Sequence, residues 1–290
     1  MATLREIKRR IGSIKSTQQI TRAMKMVAAA KLRRAQENIF AARPYAYKID
    51  ELIQHLVAKI ENPTDPLLES REPERVMLVV VTADRGLCGS FNSNIIRKAT
   101  QEAERYRDRE VSIVSVGRKG YDFFRKRNYQ LGREFINLFN NVQYQHAQAI
   151  AEYLIEEFLA CRADRIILVY NEFKSVIQQN LKVEQFLPLR KREFEGEGSG
   201  NLVDYIYEPS QEALLKALLP KHLNMQVWRV LLESYAAEQG ARMAAMENAT
   251  ENAGELIHDL TLLFNKARQA AITKEISEIV GGAEALKSAS

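Results

Sequence analysis

Cysteine is nearly absent from this chain: Cys88 and Cys161 are the two it has in 290 residues, far apart and without metal-ligand spacing. That excludes a disulfide framework and a zinc site, and both residues are expected as reduced thiols. Long apolar runs are missing too. No stretch approaches the roughly 20 residues that span a bilayer, and the opening MATLREIKRR has no apolar core of a secretory leader. Membrane contact is therefore expected to run only through other proteins or through surface charge. Histidine is scarce as well: His55, His146, His222 and His258 form no pattern, and none is near Cys88 in sequence. No triad or pair of carboxylates emerges, so no catalytic residue is expected.

What the sequence does have is apolar periodicity at its two ends, on a composition that is 46% hydrophobic and sufficient for a core. Toward the C-terminus the apolar positions run Ala249, Ala253, Leu256, Leu260, Leu263, Ala267, Ala270. Near the N-terminus they run Leu4, Ile7, Ile11, Ile14, then Ala28, Leu32, Ala35, Ile39, Ala42, Ala46, Ile49, Ile53 and Leu56, with Gln18, Thr21 and Lys25 as polar members of the same frame. Alternating steps of three and four form the seam of a left-handed coiled coil. Neither run has a partner beside it in sequence. The two ends are therefore expected to pair with each other, antiparallel, with everything between them as an insert.

Local signals set the ends of these helices. Thr3-Leu4-Arg5-Glu6 is a capping box, and a helix from there is expected to reach about Lys59, with Pro44 kinking it and not ending it. The return helix is expected to be capped by Ser210 with Glu212 in its first turn, bent at Pro220 and stopped at Gly281-Gly282.

The middle has a different texture. Residues 61–75 hold three prolines and read as a linker. Val76–Ala83, Val111–Val116 and Arg165–Tyr170 are short apolar runs of the kind buried in parallel sheets. They alternate with expected helices at 92–106, Tyr121–Arg127 and 142–162, followed by an edge strand over 176–188 and a flexible loop at 193–200. The fold class expected is thus mixed α and α/β: a long antiparallel coiled coil of N- and C-terminal helices with an inserted small Rossmann-like α/β domain. The boundaries are 1–60, 61–75, 76–209 and 210–290.

Charge is uneven. Residues 1–48 carry twelve Lys or Arg against Glu6 and Glu37, so this segment holds +10 in a chain whose total is +5. Such a helix favours an acidic partner. Thr82-Ala83-Asp84-Arg85-Gly86-Leu87-Cys88-Gly89-Ser90 lies between a strand and a helix, where α/β folds bind phosphate. It contains neither GxxxxGK[ST] nor GxGxxG, so it reads as a tight turn and a docking loop on the domain's rim. Glu247, Glu251 and Glu255 read as a solvated acidic stripe and not a metal site, and no cofactor is expected. Arg22, Met24 and Lys25 on the first helix, and Arg268, Gln269, Thr273 and Lys274 on the last, flank Ala- and Leu-rich stretches. They are either solvated or contacts to a surrounding ring of protein.

At those residues the sequence resembles the gamma subunit of rotary ATP synthases. The blocks that carry the resemblance are Ile20 to Ala29 (ITRAMKMVAA), Thr82 to Asn92 (TADRGLCGSFN), Tyr207-Glu208-Pro209, Phe264 to Ile276 (FNKARQAAITKEI) and Glu278 to Ala283 (EIVGGA), in order along essentially the whole chain. The resemblance implies a non-catalytic central stalk in a proton-translocating synthase. Its coiled coil would stand inside a ring of alternating alpha and beta subunits, with the foot against the epsilon subunit and the c ring. By position it implies that Arg22, Met24, Lys25, Arg268, Gln269 and Thr273 meet the beta subunits, and that Tyr205, Tyr207 and Glu208 form the foot. The short segment Arg192–Leu202 has no cysteine, which argues against the thiol control of chloroplast relatives. The opening lacks a transit peptide, so a bacterial protein on the cytoplasmic face of the plasma membrane is expected. Two rival readings remain: a basic helical hairpin that clamps nucleic acid, for which interleaved aromatics beyond Phe40, Tyr45 and Tyr47 are missing, and an enzyme on the α/β insert.

Overall fold

The computed structural model describes residues 3–59, 65–175, 178–189 and 210–288. The chain divides into two compact units, one of residues Ala28–Arg242 and one of Met1–Val27 with Met243–Ser290. Two long helices, α1 (Leu4–Lys59) and α5 (Gln211–Ser288), contribute to both. The Thr3 capping box is formed: Glu6 N–H donates to Thr3 Oγ1 at 3.3 Å, and Thr3 N–H to Glu6 Oε2 at 2.9 Å. Ser210 caps α5 through its Oγ, which accepts from Ala213 N–H at 3.2 Å.

In the unit of Ala28–Arg242 the elements between the long helices are β1 (Arg75–Val81), α2 (Phe91–Arg105), β2 (Glu110–Val116), α3 (Arg118–Arg125), β3 (Gln130–Leu131), α4 (Tyr144–Leu159), β4 (Arg165–Phe173) and β5 (Gln179–Leu187). The sheet order is β3-β2-β1-β4-β5, parallel throughout except for β5, which runs antiparallel to β4 at the edge. Val76 pairs with Val111 on one side and Arg165 on the other, so β1 lies at the centre.

Strand periodicity divides the core. Met77, Val79, Val81, Ile166, Leu168 and Tyr170 face one cluster with Ile150, Leu154 and Phe158 of α4, Leu219 and Leu223 of α5, and Ile49, Ile53 and Leu56 of α1. Val76, Leu78, Val80, Ile113, Ile167 and Val169 face the other, with Phe91, Ile95 and Ala99 of α2 and Phe124 of α3. Both faces are covered, which is why these strands carry near-continuous apolar runs. A third cluster joins Leu32, Ala35 and Ile39 of α1 to Leu232 and Ala236 of α5.

The structure corrects two expectations about helix ends and adds a strand. Gly281-Gly282 does not stop α5, which continues to Ser288. Glycine costs a helix only about 1 kcal/mol, and it ends one only when it adopts a left-handed turn; here good helix formers, Ala283-Glu284-Ala285-Leu286-Lys287, follow. Helix α3 begins at Arg118, three residues before the expected Tyr121, because Asp84 Oδ1 accepts the Arg118 N–H at 3.0 Å and so supplies its first acceptor. The two-residue β3 was not foreseen, since two residues show no periodicity.

A salt bridge closes the far end of the sheet. Asp164 accepts from Arg75 Nε at 3.1 Å, Nη2 at 2.9 Å and the Arg75 backbone N–H at 2.9 Å. Burial alone would raise this carboxyl, but the Arg75 donors more than offset it and hold Asp164 below the ordinary carboxylate range.

At the other end, Gly117 follows β2 with φ of +99°, and a Cβ there would lie 2.1 Å from the Thr82 carbonyl oxygen. Gly117→Ala is therefore expected to lower folding stability by about 2 kcal/mol or more, as measured by denaturant unfolding. A stability equal to that of the parent chain would show that the β2–α3 turn relaxes freely.

Candidate partner-binding surface

In the unit of Met1–Val27 with Met243–Ser290, α1 and α5 pack as an antiparallel pair. Thr21 and Thr250 hydroxyls lie 2.7 Å apart, Gln18 Nε2 donates to the Thr250 carbonyl at 3.3 Å, and Lys25 forms an ion pair with Glu247. These are the three polar positions that interrupt the N-terminal seam. Each is answered across the pair, Thr21 as a buried group and Gln18 and Lys25 as half-buried ones. Glu247 thus pairs with Lys25 with 42% of its side chain still in water, and Glu251 and Glu255 are exposed, as a solvated stripe requires.

The N-terminal seam is as expected: Ile7 and Thr21 are buried and Leu4, Ile11, Ile14, Gln18 and Lys25 half-buried. The C-terminal frame is corrected. Expected positions Ala249, Ala253, Leu260 and Ala267 are buried or half-buried, and so are Met246, Thr250, Ile257 and Phe264, whereas Leu256 and Leu263 are 52% and 49% exposed. Both frames step by fours and threes and share Ala253, Leu260 and Ala267, so periodicity alone does not separate them. The polar pairs do, by placing Thr250 opposite Thr21.

The residues picked out from sequence fall in two places. Arg22 is exposed, Met24 half-buried, and Lys25 already engaged with Glu247. Arg268, Gln269 and Thr273 are exposed, with Thr273 Oγ1 donating to the Gln269 carbonyl at 2.9 Å. Glu247 and Arg268 are 21 residues apart on α5, about 30 Å at the helical rise, so the structure does not bring the two groups together. Tyr205, Tyr207 and Glu208 lie outside the described residues.

From Arg268 to Ala283 every residue of α5 is exposed. Continuing the pairing of Lys25 with Glu247 places the start of α1 beside about residue 268, so this last stretch has no neighbouring helix within its unit. It nonetheless carries Ile272, Ile276, Ile279 and Val280, and Ile279 is 72% exposed. Upstream, Ile20, Met26 and Val27 of α1 and Leu256, Leu262 and Leu263 of α5 are also exposed. Apolar side chains at this density on a water-facing surface mark a protein interaction site, a signal that was present in the sequence but unreadable until the seam frame was known.

The loop between β1 and α2 is built from inside and not for an anion. Asp84 accepts backbone N–H groups from Arg118 at 3.0 Å, Asn137 at 2.8 Å and Phe139 at 3.1 Å. Its own carboxylate thus serves as an internal acceptor at the α3 N-terminus. Thr82 is buried, and its Oγ1 accepts from Gly120 N–H at 2.9 Å. Cys88 is buried as well, and burial pushes its thiol above the ordinary range, opposite to an activated nucleophile. No group of three metal-ligating side chains occurs among the described residues, and none of the described helices is long and apolar enough to cross a membrane.

A model of the family described as ATP synthase matches residues 3–286. The ATP synthase gamma chains of Chlorobium phaeobacteroides (strain BS1) and Chlorobaculum parvum are 52% and 53% identical to this chain over 293 residues, covering 99% of it and 99% and 100% of themselves. The chain belongs to the family of ATP synthase gamma chains. A chain from the cryo-EM structure of the Tetrahymena thermophila mitochondrial ATP synthase central stalk and c ring is 28% identical, with a TM-score of 0.61 over 79% of this chain and 99% of that one. A chain of the Euglena gracilis mitochondrial ATP synthase in rotational state 3 shares the fold, with a TM-score of 0.70 at 22% identity over 98% and 94% of the two chains.

In this gamma-family chain Asp84 is expected to be structural. Asp84→Ala strands three backbone N–H groups and is expected to lower unfolding free energy by about 2 to 4 kcal/mol. Unfolding in urea measures it, and a loss below about 0.5 kcal/mol would show that water replaces the carboxylate at no cost.

Proposed function

We propose that this chain is the central-stalk rotor of a bacterial, proton-translocating ATP synthase and performs no bond chemistry itself. The observation that carries this reading is the exposed apolar and basic surface of the α1–α5 pair in a member of the gamma family. A helical pair that leaves Ile272, Ile276, Ile279 and Val280 in water is built to be enclosed by other protein. The ring of alpha and beta subunits is that enclosure. Arg22, Met24 and Lys25 meet it at one level and Arg268, Gln269 and Thr273 at another. Because the two levels are far apart along α5, rotation of the pair presents different side chains to the three beta subunits and drives their sites through different conformations.

The division of labour follows the sequence boundaries: residues 1–60 with 210–290 form the shaft, and 76–209 the domain that docks the epsilon subunit. Tyr205, Tyr207 and Glu208 form the foot on the c ring. Attachment to the cytoplasmic face of the membrane runs through that ring, in keeping with the lack of a membrane-crossing helix among the described residues.

Reconstitution with cognate alpha and beta subunits tests the reading. A complex with one copy of this chain is expected, with ATP hydrolysis well above that of alpha and beta alone. Arg268→Ala and Gln269→Ala are each expected to reduce turnover several-fold, an effect of about 1 kcal/mol on the barrier, without preventing assembly. Failure of well-folded subunits to assemble, or turnover indifferent to this chain, overturns the proposal.

A further inference from the structure

Helix α5 carries a buried carboxylate that the partner-facing surface does not use. Glu238 is 3% exposed. Its Oε1 accepts from Arg242 Nη1 at 2.6 Å and from Gln239 Nε2 at 3.3 Å, while its Oε2 has no hydrogen-bond partner among the described residues. The other terminal nitrogen of Arg242 leaves the helix, and Nη2 donates to the Gly86 carbonyl at 3.2 Å. One guanidinium thus joins a carboxylate on its own helix to the β1–α2 loop.

That loop is pinned at both shoulders. Asp84 holds it on one side through three backbone N–H groups. On the other, Asn92 Oδ1 accepts the Ala83 N–H at 2.9 Å and Nδ2 donates to Cys88 Sγ at 3.2 Å. Between the shoulders lies Leu87, 65% exposed and held at φ of +61°, a conformation that a leucine keeps only when its surroundings impose it. Arg242 is the tie from outside the loop at this apex.

We propose that Glu238 and Arg242 form a proton-sensitive latch: ionised Glu238 aims Arg242 at Gly86 and holds the loop apex on α5, and protonated Glu238 lets the guanidinium go and frees the apex. The proton comes from solvent and resides on the Glu238 carboxyl; no bond other than O–H is made. The charged and titratable groups around Glu238 are Arg242 and Tyr235 on α5, Lys31 on α1, and Asp84 and Cys88 on the loop side. Burial, aided by Asp84, raises the Glu238 carboxyl, while Arg242 and Lys31 oppose it. A carboxyl raised in the folded state binds its proton more tightly folded than unfolded. Protonation therefore adds to global stability as pH falls, and release of the latch is a local opening and not unfolding.

The latch stands independently of the rotor reading and is tested on the full chain alone. Hydrogen exchange of the segment 83–91, corrected for intrinsic rate, is followed between about pH 8 and pH 4. The expected result is a rise of about tenfold as pH falls, with amides of the α5 seam unchanged. Glu238→Gln is expected to be fast and flat across the range. Arg242→Lys, which keeps the charge but loses the two-nitrogen fork, is expected to be fast as well. A flat profile in the parent chain overturns the proposal, whether or not the variants fold, and so does a Glu238→Gln profile that follows the parent.

Discussion

An apolar stripe that runs the length of a helix has to be covered, and in this chain the cover comes from its opposite end. Ile7, Ile11 and Ile14 of α1 find α5 in one unit, and Leu32, Ala35 and Ile39 find Leu232 and Ala236 in the other. Isolated helices gain little from propensity and depend on such packing. In sequence the whole α/β sheet lies between the two helices. Ala35 and Ala236 are small residues buried in the second of these contacts.

Polar groups give the seam its register. A purely apolar antiparallel pair would slide by a heptad at small cost, but Gln18 and Lys25 meet Thr250 and Glu247 only in this register. The Thr21 and Thr250 hydroxyls, each also bonded to a carbonyl of its own helix, touch only in it. Lys25 and Glu247 keep over a third of their side chains in water, so each such contact adds a modest bias toward one register. Fixed register decides which α5 side chains along the pair face outward, and hence that Leu256 and Leu263 are exposed.

The β1–α2 loop owes its shape to groups distant in sequence. Asp84 engages its carboxylate with three backbone N–H groups, one at the start of α3 and two in the segment after β3, and Arg242 joins the loop to α5.

Much of this was legible in the residues themselves. The capping box at Thr3, the N-terminal seam from Leu4 to Leu56, the parallel strands and the edge strand were readable because they follow local periodicity and short-range hydrogen bonding; that the edge runs antiparallel came from the structure. The family was readable because its blocks are specific. Local pattern does not decide between alternatives of equal period, and there the tertiary structure took over. It put Met246, Thr250, Ile257 and Phe264 in the seam and left Leu256 and Leu263 exposed, with Thr250 opposite Thr21. It carried α5 through Gly281-Gly282, because nothing there imposes a left-handed turn. It brought Asp84 to the N–H groups of Arg118, Asn137 and Phe139, and Arg242 to the Gly86 carbonyl, because proximity to groups distant in sequence sets which polar groups meet.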